Sequence, residues 1–292
     1  MYEFDNCTVH LNVHMKEYTT FKTGGEAKVF IEPQTPLAVA KVMRTLTERN
    51  EKYYVLGNGS NLLVSDEGID TPIIHIGKSL SEVKVEGESV ICQAGALLSG
   101  AASAACKNSL TGMEFAHGIP GSVGGGICMN AGAYGGELCD IVDWIDYASA
   151  SGEVCRMDCD TADFSYRHSF FMDKDYIVTQ ACFKLKKGNS DDIIAKMKEL
   201  GEKRRDKQPL EYPSAGSTFK RPQGAFAAAL IDEAGLKGTS CGGAMVSEKH
   251  AGFIINKGDA TTKDILDLME KVKTTVFEKS GIMLEPEVKF WG

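Results

Sequence analysis

Residues 118–136 read GIPGSVGGGICMNAGAYGG, and eight of these nineteen positions are glycine. Glycine loses more backbone entropy on ordering than any other residue, so this density needs a reason. Apolar residues are interspersed at Ile119, Pro120, Val123 and Ile127, which argues against a floppy linker and predicts a packed loop. We interpret the segment as backbone that lies flat against a planar or polyanionic ligand.

A second glycine-containing loop, GNGSN at 57–61, lies between strand-like runs at 53–56 and 62–64. Consecutive main-chain N–H groups can form a concave site for phosphate oxygens, which Ser60 and Asn61 can supplement. The loop is not the dinucleotide fingerprint, because that pattern opens a helix and residues 62–64 look extended. A plain tight turn is the alternative. Two glycine-rich loops in an α/β context favour a large dinucleotide over a mononucleotide.

Thr35 and Pro36 are typical of a helix start, and apolar residues follow at helical spacing to Leu46. With strands at 27–31 and 53–56, this pattern predicts a small β-α-β unit. Further helices are predicted at 97–107, 191–207, 225–234 and 262–279. Further strands are predicted at 62–64, 73–76, 83–85, 90–94, 141–148, 176–185, 241–246, 252–255 and 284–290, with a hairpin turn at 86–88.

The composition is that of an ordinary globular protein. The 292 residues are 43% hydrophobic and 25% charged, with 32 basic and 40 acidic side chains and a net charge of −8. An acidic chain repels phosphate backbones, which argues against nucleic-acid binding. Nine cysteines without a Cys-x-x-Cys pair argue against a disulfide scaffold or a metal site. Without a signal peptide or an 18-residue apolar stretch, we expect a cytoplasmic protein that does not enter a membrane.

Three segments carry candidate catalytic side chains. Arg167, in SYRHSFF at 165–171, lies among aromatic residues, where a guanidinium could receive a carboxylate in a bidentate pair. An ordinary ion pair is the alternative. The adjacent His168 could be a general base, although a structural hydrogen-bonded histidine is the more common case.

Ser217 lies in PSAGSTFKRP at 213–222, where its hydroxyl could donate a proton or bind an oxyanion, and Lys220 and Arg221 would favour an anionic substrate. A helix N-cap is the alternative for this serine. Hydrolase chemistry is poorly supported, because the Gly-x-Ser-x-Gly elbow is missing. Glu285 and Glu287 alternate along a predicted strand and share one face, which is normally a solvated one.

Taken together, these segments resemble the UDP-N-acetylenolpyruvoylglucosamine reductases (UDP-N-acetylmuramate dehydrogenases), flavoenzymes of bacterial peptidoglycan precursor synthesis. The matching stretches occur in order along nearly the whole chain, and the ordered set is highly specific. They are TFKTGGEA at 20–27, VLGNGSNLLVSDEGI at 55–69, GMEFAHGIPGSVGGGICMNAGAYGGEL at 112–138, FSYRHSFF at 164–171, PSAGSTFKRP at 213–222, HAGFIIN at 250–256 and LEPEVKFWG at 284–292.

The resemblance implies an α+β fold of the vanillyl-alcohol-oxidase (PCMH) type, with FAD held between two α/β subdomains and a third domain over the substrate. The expected division is 1–56 and 57–190 for the FAD-binding subdomains and 191–292 for the substrate-binding domain. Non-covalent FAD would contact two sets of residues. Gly57, Asn58, Gly59, Ser60 and Asn61 would cradle the pyrophosphate, and Ile119, Pro120, Gly121, Ser122, Gly124, Gly125, Asn130, Ala131 and Gly132 would line the flavin.

The implied reaction is the reduction of the enolpyruvyl ether of UDP-N-acetylglucosamine, with NADPH as the co-substrate. Arg167 would pair with the substrate carboxylate, Glu287 would stabilise the enol intermediate, and Ser217 would protonate C2. Arg204, Lys207, Lys220 and His250 match positions that lie near the substrate in the family. No obligate protein partner and no metal are expected.

Fifty positions separate Arg167 from Ser217, which leaves no room for the tyrosine-bearing loop that covers the substrate in longer family members. The chain therefore resembles the shorter subtype. Two alternatives stay open. A flavin oxidase of the same fold would use oxygen and would usually attach its flavin covalently, for which Cys128 is the candidate in the loops. A non-enzymatic nucleotide-binding module would leave Arg167, Ser217 and Glu287 without a role.

Overall fold

The chain divides into two units in the structure, a computed structural model that describes residues 2–172 and 175–292. The first unit comprises Met1–Leu11, Val29–Asn58 and Thr71–Lys203, and the second comprises Asn12–Lys28, Gly59–Asp70 and Arg204–Gly292. The chain therefore passes repeatedly from one unit to the other. The three domains predicted from the sequence, with boundaries at 56 and 190, stay a prediction.

Six α-helices occur among the described residues. They are α1 Pro36–Glu48, α2 Leu98–Lys107, α3 Val123–Cys128, α4 Ser190–Lys207, α5 Ala227–Glu233 and α6 Thr262–Ser280. The strands are β1 Cys7–His14, β2 Glu26–Pro33, β3 Tyr54–Leu56, β4 Leu62–Val64, β5 Ile73–His75, β6 Val83–Glu86, β7 Ser89–Gln93, β8 Leu110–Thr111, β9 Gly132–Ala133, β10 Gly136–Glu137, β11 Val142–Ser149, β12 Val154–Asp158, β13 Tyr176–Lys184, β14 Lys186–Lys187, β15 Ser240–Cys241, β16 Ala244–Val246, β17 Ile254–Asn256 and β18 Lys289–Trp291.

Local signals explain where the two best-defined helices begin. The hydroxyl of Thr35 accepts a 3.1 Å hydrogen bond from the N–H of Ala38, and Pro36 occupies the first helical position of α1. Thr261 and Asp264 form a capping box at the start of α6, and Gly281 ends that helix with a left-handed φ of 72°. Both predicted helix starts are confirmed.

The first unit contains two larger sheets. An antiparallel sheet has the order β12-β11-β13-β7-β6, and a second sheet has the order β1-β2-β5-β3, in which β2 and β3 pair in parallel with β5. The apolar face of α1 is fully buried at Val39, Val42 and Met43 and joins the core of this unit. The α1 segment therefore forms a helix because its hydrophobic stripe has a sheet to cover.

In the second unit, the three-stranded sheet β15-β16-β17 and the buried face of α6 share one core, to which Val246, Ile265 and Val272 belong. A parallel pair joins β4 to β18, with Leu62 opposite Lys289 and Val64 opposite Trp291. This pair connects the strand that follows the GNGSN loop to the carboxyl-terminal segment.

Several elements differ from the sequence predictions. Strands β1 and β12 were not predicted, and the packed loop expected at 118–136 instead contains the short helix α3 and the hairpin β9-β10. The last strand begins at Lys289 rather than at 284. Proline lacks the N–H that a ladder requires, and residues 284–288 pair through a single bridge from Phe219 to Pro286.

Within residues 2–172 and 175–292, no helix is long and apolar enough to cross a membrane. Over the same residues, no group of three or more histidine, cysteine, aspartate or glutamate side chains could hold a metal ion.

Candidate active site

The first unit brings the two glycine-rich loops together. The side-chain amide of Asn58 donates a 2.6 Å hydrogen bond to the carbonyl oxygen of Pro120. A Cβ at Gly57 would lie 2.4 Å from the hydroxyl of Ser122, so a side chain at that position would displace this hydroxyl. Residues 57 and 58 therefore lie against residues 120–122.

The glycine-rich segment at 118–136 is anchored by main-chain hydrogen bonds to residues 96–98, at the start of α2. Leu98 donates its N–H to the carbonyl of Gly121 at 3.0 Å, and Val123 donates to Ala96 at 2.7 Å. The hydroxyl of Ser122 caps α3 by accepting from the N–H of Gly125 at 3.4 Å. These bonds hold residues 121–125 in a defined path.

Part of the glycine content of 118–136 has a packing reason. A Cβ at Gly124 would lie 2.9 Å from the Cβ of Ala94, and one at Gly126 would lie 3.0 Å from Leu98. A Cβ at Gly136 would lie 2.6 Å from the ring of Phe115. These glycines let segments of the protein approach one another closely, in addition to whatever ligand the loop binds.

Several main-chain N–H groups of the two loops make no main-chain hydrogen bond. Among the described residues of the first unit, this holds for the N–H groups of Asn58, Gly121 and Ser122. The same holds for Gly59 and Ser60 among the described residues of the second unit. Such N–H groups in glycine-rich loops are the donors that bind phosphate oxygens in proteins.

A buried histidine lies under the start of the GNGSN loop. Nδ1 of His75 is 2.7 Å from Oε1 of Glu32, whose other oxygen is 2.9 Å from Nε2 of His10. Burial lowers the pKa of His75, while hydrogen bonds to Glu32 and to the main chain of Gly57 act in the opposite direction. His75 thus connects the partly exposed carboxylate of Glu32 to the first residue of the loop. Nothing in the sequence near His75 indicates this contact.

Arg167 is at the tip of a tight turn in the first unit. Ser165 and His168 exchange two main-chain hydrogen bonds of 3.1 Å, which close the turn around Tyr166 and Arg167. Arg167 has a left-handed φ of 57°, and its guanidinium lies 5.0 Å from the ring centroid of Tyr166. Nδ1 of His168 lies 3.3 Å from the carbonyl of Asp163, a contact that fits a structural role for this histidine.

In the second unit, the Ser217 segment runs antiparallel to the Glu287 segment. Glu287 donates its N–H to the carbonyl of Thr218 at 2.8 Å, and Lys220 donates its N–H to Glu285 at 2.9 Å. Ser217 and Glu287 therefore lie on neighbouring antiparallel segments. The residue paired with Glu287 is Thr218, one position after Ser217. The N-cap interpretation of Ser217 is wrong, because α5 begins only at Ala227, after Phe226.

Thr218 anchors this pair of segments and was not singled out in the sequence. It is fully buried, its N–H donates to Gly252 at 2.9 Å, and its hydroxyl accepts from Ile254 at 3.1 Å. Gly252 and Ile254 of the HAGFIIN segment therefore fix Thr218, the residue that follows Ser217. A buried threonine carries no sequence signal that distinguishes it from a core residue.

The predicted substrate-binding residues of the second unit have different surroundings. The ammonium of Lys220 lies 3.3 Å from Glu285. His250 accepts from the N–H of Gly252 at 3.2 Å, and burial lowers its pKa, which favours the neutral ring. Arg204 and Lys207 lie in the last turn of α4.

Two family models match different parts of the chain. A family model described as FAD binding domain matches residues 27–158, and one described as UDP-N-acetylenolpyruvoylglucosamine reductase, C-terminal domain, matches residues 208–291. The first match contains both glycine-rich loops, and the second contains Ser217 and Glu287. FAD is therefore the cofactor, as the resemblance implied.

Three similar proteins extend the comparison. A UDP-N-acetylenolpyruvoylglucosamine reductase of Clostridium novyi is 50% identical over 96% of this chain and 91% of its own length. The crystal structure of such a reductase from Thermus caldophilus has a TM-score of 0.85 and 35% identity, covering 98% of this chain and all of that one. Phl p 4.0202, a glucose dehydrogenase, has a TM-score of 0.50 at 15% identity, over 62% of this chain and 42% of its own, and shows the fold alone.

These matches confirm the α+β fold of the vanillyl-alcohol-oxidase type that the resemblance implied. Identity this high over nearly the full length of both chains also decides between related families with that fold. The chain belongs to the UDP-N-acetylenolpyruvoylglucosamine reductase family.

Proposed function

We propose that the protein catalyses the NADPH-dependent reduction of UDP-N-acetylglucosamine enolpyruvate to UDP-N-acetylmuramate, in peptidoglycan precursor synthesis. The observation that carries this proposal is the antiparallel pairing of the Ser217 and Glu287 segments, joined by the 2.8 Å hydrogen bond from Glu287 to Thr218. It places on adjacent segments the two residues whose hydroxyl and carboxyl groups would serve the protonation of the enol. We also propose a cytoplasmic location, in keeping with nine free cysteines.

FAD would be held by residues 57–61, 119–122, 124–125 and 130–132. The chemistry that bound FAD supplies is the transfer of a hydride from NADPH to C3 of the enolpyruvyl group. The loops contribute fixed N–H dipoles, which need no reorganisation when an anionic group binds.

Three side chains would stabilise the negative charge that develops on the substrate and supply the proton that C2 receives. Arg167 would pair with the substrate carboxylate, because a guanidinium matches a carboxylate in a bidentate geometry. As hydride adds to C3, negative charge develops on C2 and on that carboxylate, and Glu287 would stabilise the enol by hydrogen bonding. Ser217 would then give its proton to C2 and recover one from solvent.

Four further residues would contact the nucleotide part of the substrate. They are Arg204, Lys207, Lys220 and His250. Because Ser217 follows Arg167 by only fifty positions, we propose that the protein is of the shorter subtype, in which the cations Arg204, Lys207 and Lys220 replace the tyrosine loop. Cationic side chains are suited to the UDP diphosphate, which carries negative charge.

Neither alternative is favoured. Covalent flavin attachment in an oxidase would require a reactive thiol, yet burial raises the pKa of Cys128 to about 12. A nucleotide-binding module would bind its ligand equally well with or without Ser217.

The test follows the flavin absorbance anaerobically in two steps, for the unmodified protein and for Ser217→Ala. NADPH is added first, and the enolpyruvyl nucleotide second. We expect equal bleaching in the first step and a recovery that is roughly 10²–10⁴-fold slower in the variant, the range for a positioned general acid. Ser240→Ala, at an exposed hydroxyl of the second unit, is the matched control. Recovery at the unmodified rate in Ser217→Ala would refute the proton-donor role, and a protein that never retains FAD would refute the reaction.

A further inference from the structure

The side chain of Asn130 joins the glycine-rich segment to the turn that carries Arg167. It is 1% exposed, and its amide nitrogen donates to Oε2 of Glu137 at 3.0 Å and to the carbonyl of Ser165 at 3.2 Å. Its oxygen accepts the N–H of Cys139 at 3.0 Å. Both N–H hydrogens of the carboxamide therefore have oxygen acceptors within the first unit.

The partners decide which way the carboxamide points. A main-chain N–H can only donate, so the oxygen of Asn130 faces Cys139. A carbonyl and an ionised carboxylate can only accept, so the nitrogen faces Ser165 and Glu137. A carboxylate in place of this amide would set oxygen against oxygen at two contacts, and one of them would be a repulsion between like charges.

Ser165 is the first residue of the Arg167 turn, and the other flank of the turn is held as well. The hydroxyl of Ser169, which is fully buried, donates to the carbonyl of Cys128 at 2.9 Å. Residues 128–130 thus bind the turn on both sides. The turn needs this support, because a left-handed backbone at a non-glycine residue such as Arg167 costs about 1–3 kcal/mol.

We propose that Asn130 is a positioning residue, whose carboxamide orients Arg167 toward the carboxylate of the enolpyruvyl substrate. The inference rests on the proposed function, since it uses the carboxylate-binding role of Arg167. The side chain of Asn130 then acts on the substrate, while the main chain of 130–132 remains available for the flavin. One residue would couple the cofactor loop to substrate recognition.

The test measures the dissociation constant of the enolpyruvyl nucleotide by calorimetry, on the FAD-loaded protein, for Asn130→Asp, Arg167→Ala and the double variant. We expect each single variant to raise the dissociation constant at least tenfold. We expect the double variant to be no weaker than Arg167→Ala within about twofold, because Asn130 acts through Arg167. FAD content is measured for every variant, and each dissociation constant is expressed per FAD-loaded protein. Asn108→Asp makes the same change at an exposed asparagine outside the proposed site and should leave the dissociation constant unchanged.

Three results would overturn the inference. Additive losses in the double variant would show that Asn130 does not act through Arg167, as would an unchanged dissociation constant in Asn130→Asp. An unchanged value in Arg167→Ala would refute the carboxylate role itself, which separates a failure of the proposed function from a failure of this inference. If Asn130→Asp does not fold, Ser169→Ala removes the other flank's hydrogen bond. It should weaken nucleotide binding without loss of FAD, and unchanged binding would count against the proposal.

Discussion

The side-chain amide of Asn61 donates a 3.0 Å hydrogen bond to the main-chain carbonyl of Glu287, 226 positions away in the sequence. The main chain of Asn61 also accepts the N–H of Lys289 at 3.0 Å. The last residue of the GNGSN loop is thereby fixed to the segment of the proposed enol-stabilising residue. A single asparagine connects the proposed phosphate site to the proposed proton chemistry.

Replacing Asn61 with alanine should disturb the position of Glu287. We expect Asn61→Ala to lower the free energy of unfolding by about 1 kcal/mol, the usual worth of one hydrogen bond. It should also slow the enolpyruvyl half-reaction more than the NADPH half-reaction, in stopped-flow traces of the flavin absorbance. Asn108→Ala, whose amide bonds only its own helix end, is the control. Equal slowing of both half-reactions would contradict this expectation.

Gly59 cannot carry a side chain without displacing its neighbours. Its φ is 60°, and a Cβ would lie 1.9 Å from the carbonyl oxygen of Tyr18. Gly87 has a φ of 62° with no atom within 4 Å of the added Cβ, which makes it a matched control. We expect Gly87→Ala to cost roughly 1–2 kcal/mol for the backbone alone, and Gly59→Ala to cost more and to lose FAD. Equal urea midpoints and equal flavin content in the two variants would refute the clash.

His75 should make stability depend on pH. Because burial lowers its pKa below the ordinary 6.5, the unfolded chain binds more protons than the folded protein below about pH 6.5. Stability therefore falls as the pH decreases through 6.5, by at most about 1.4 kcal/mol per pH unit for one group. We expect His75→Asn to make the urea midpoint less dependent on pH between about 7 and 5.5.

His14→Asn, at a half-exposed histidine that lies 3.4 Å from Glu26, is the control for that experiment. It leaves the His75 side chain in place, so its slope should exceed that of His75→Asn. An identical slope for His75→Asn would show that His75 binds protons equally well in the folded and unfolded chain.

Sequence signals predicted the elements that depend on local chemistry. The Thr35-Pro36 start of α1 and the Thr261 start of α6 are contained in a few adjacent residues, and both helices form where expected. The Glu86-Gly87-Glu88 turn likewise joins β6 to β7, since Gly87 takes the left-handed conformation without a clash. In these cases the structural cause lies within one turn of the chain.

The α3 helix could not be predicted, because VGGGIC contains three residues of very low helix propensity. What stabilises it is distant in sequence: Gly124 packs on Ala94, and Gly126 packs on Leu98 and Leu138. The strand β1 is a different case. Its sequence CTVHLNVH alternates with period two, which is a strand signal, although Leu11 is largely exposed.

Candidate site residues were found where a motif marked them, and missed where tertiary contacts define them. Nothing near Asn130 in the sequence indicates that Ser165 lies beside it, and nothing near Thr218 indicates Gly252. The resemblance supplied Ser217 and Glu287 as a pair, whereas residue chemistry alone favoured an N-cap and a solvated face. The pairing of their two segments emerges only once the chain is folded.

The parallel pair of β4 and β18 has a consequence for biosynthesis. During translation β4 leaves the ribosome long before β18 has been made. Leu62 and Leu63 of β4, which are buried in the folded protein, therefore stay unpaired until β18 is synthesised. The second unit therefore cannot complete its folding before the end of the chain has been synthesised. Until then the nascent chain exposes an unpaired strand, which can bind chaperones or aggregate. Because that unit also takes Asn12–Lys28 from near the amino terminus, no single cut yields a fragment that contains it whole without the first unit's segments.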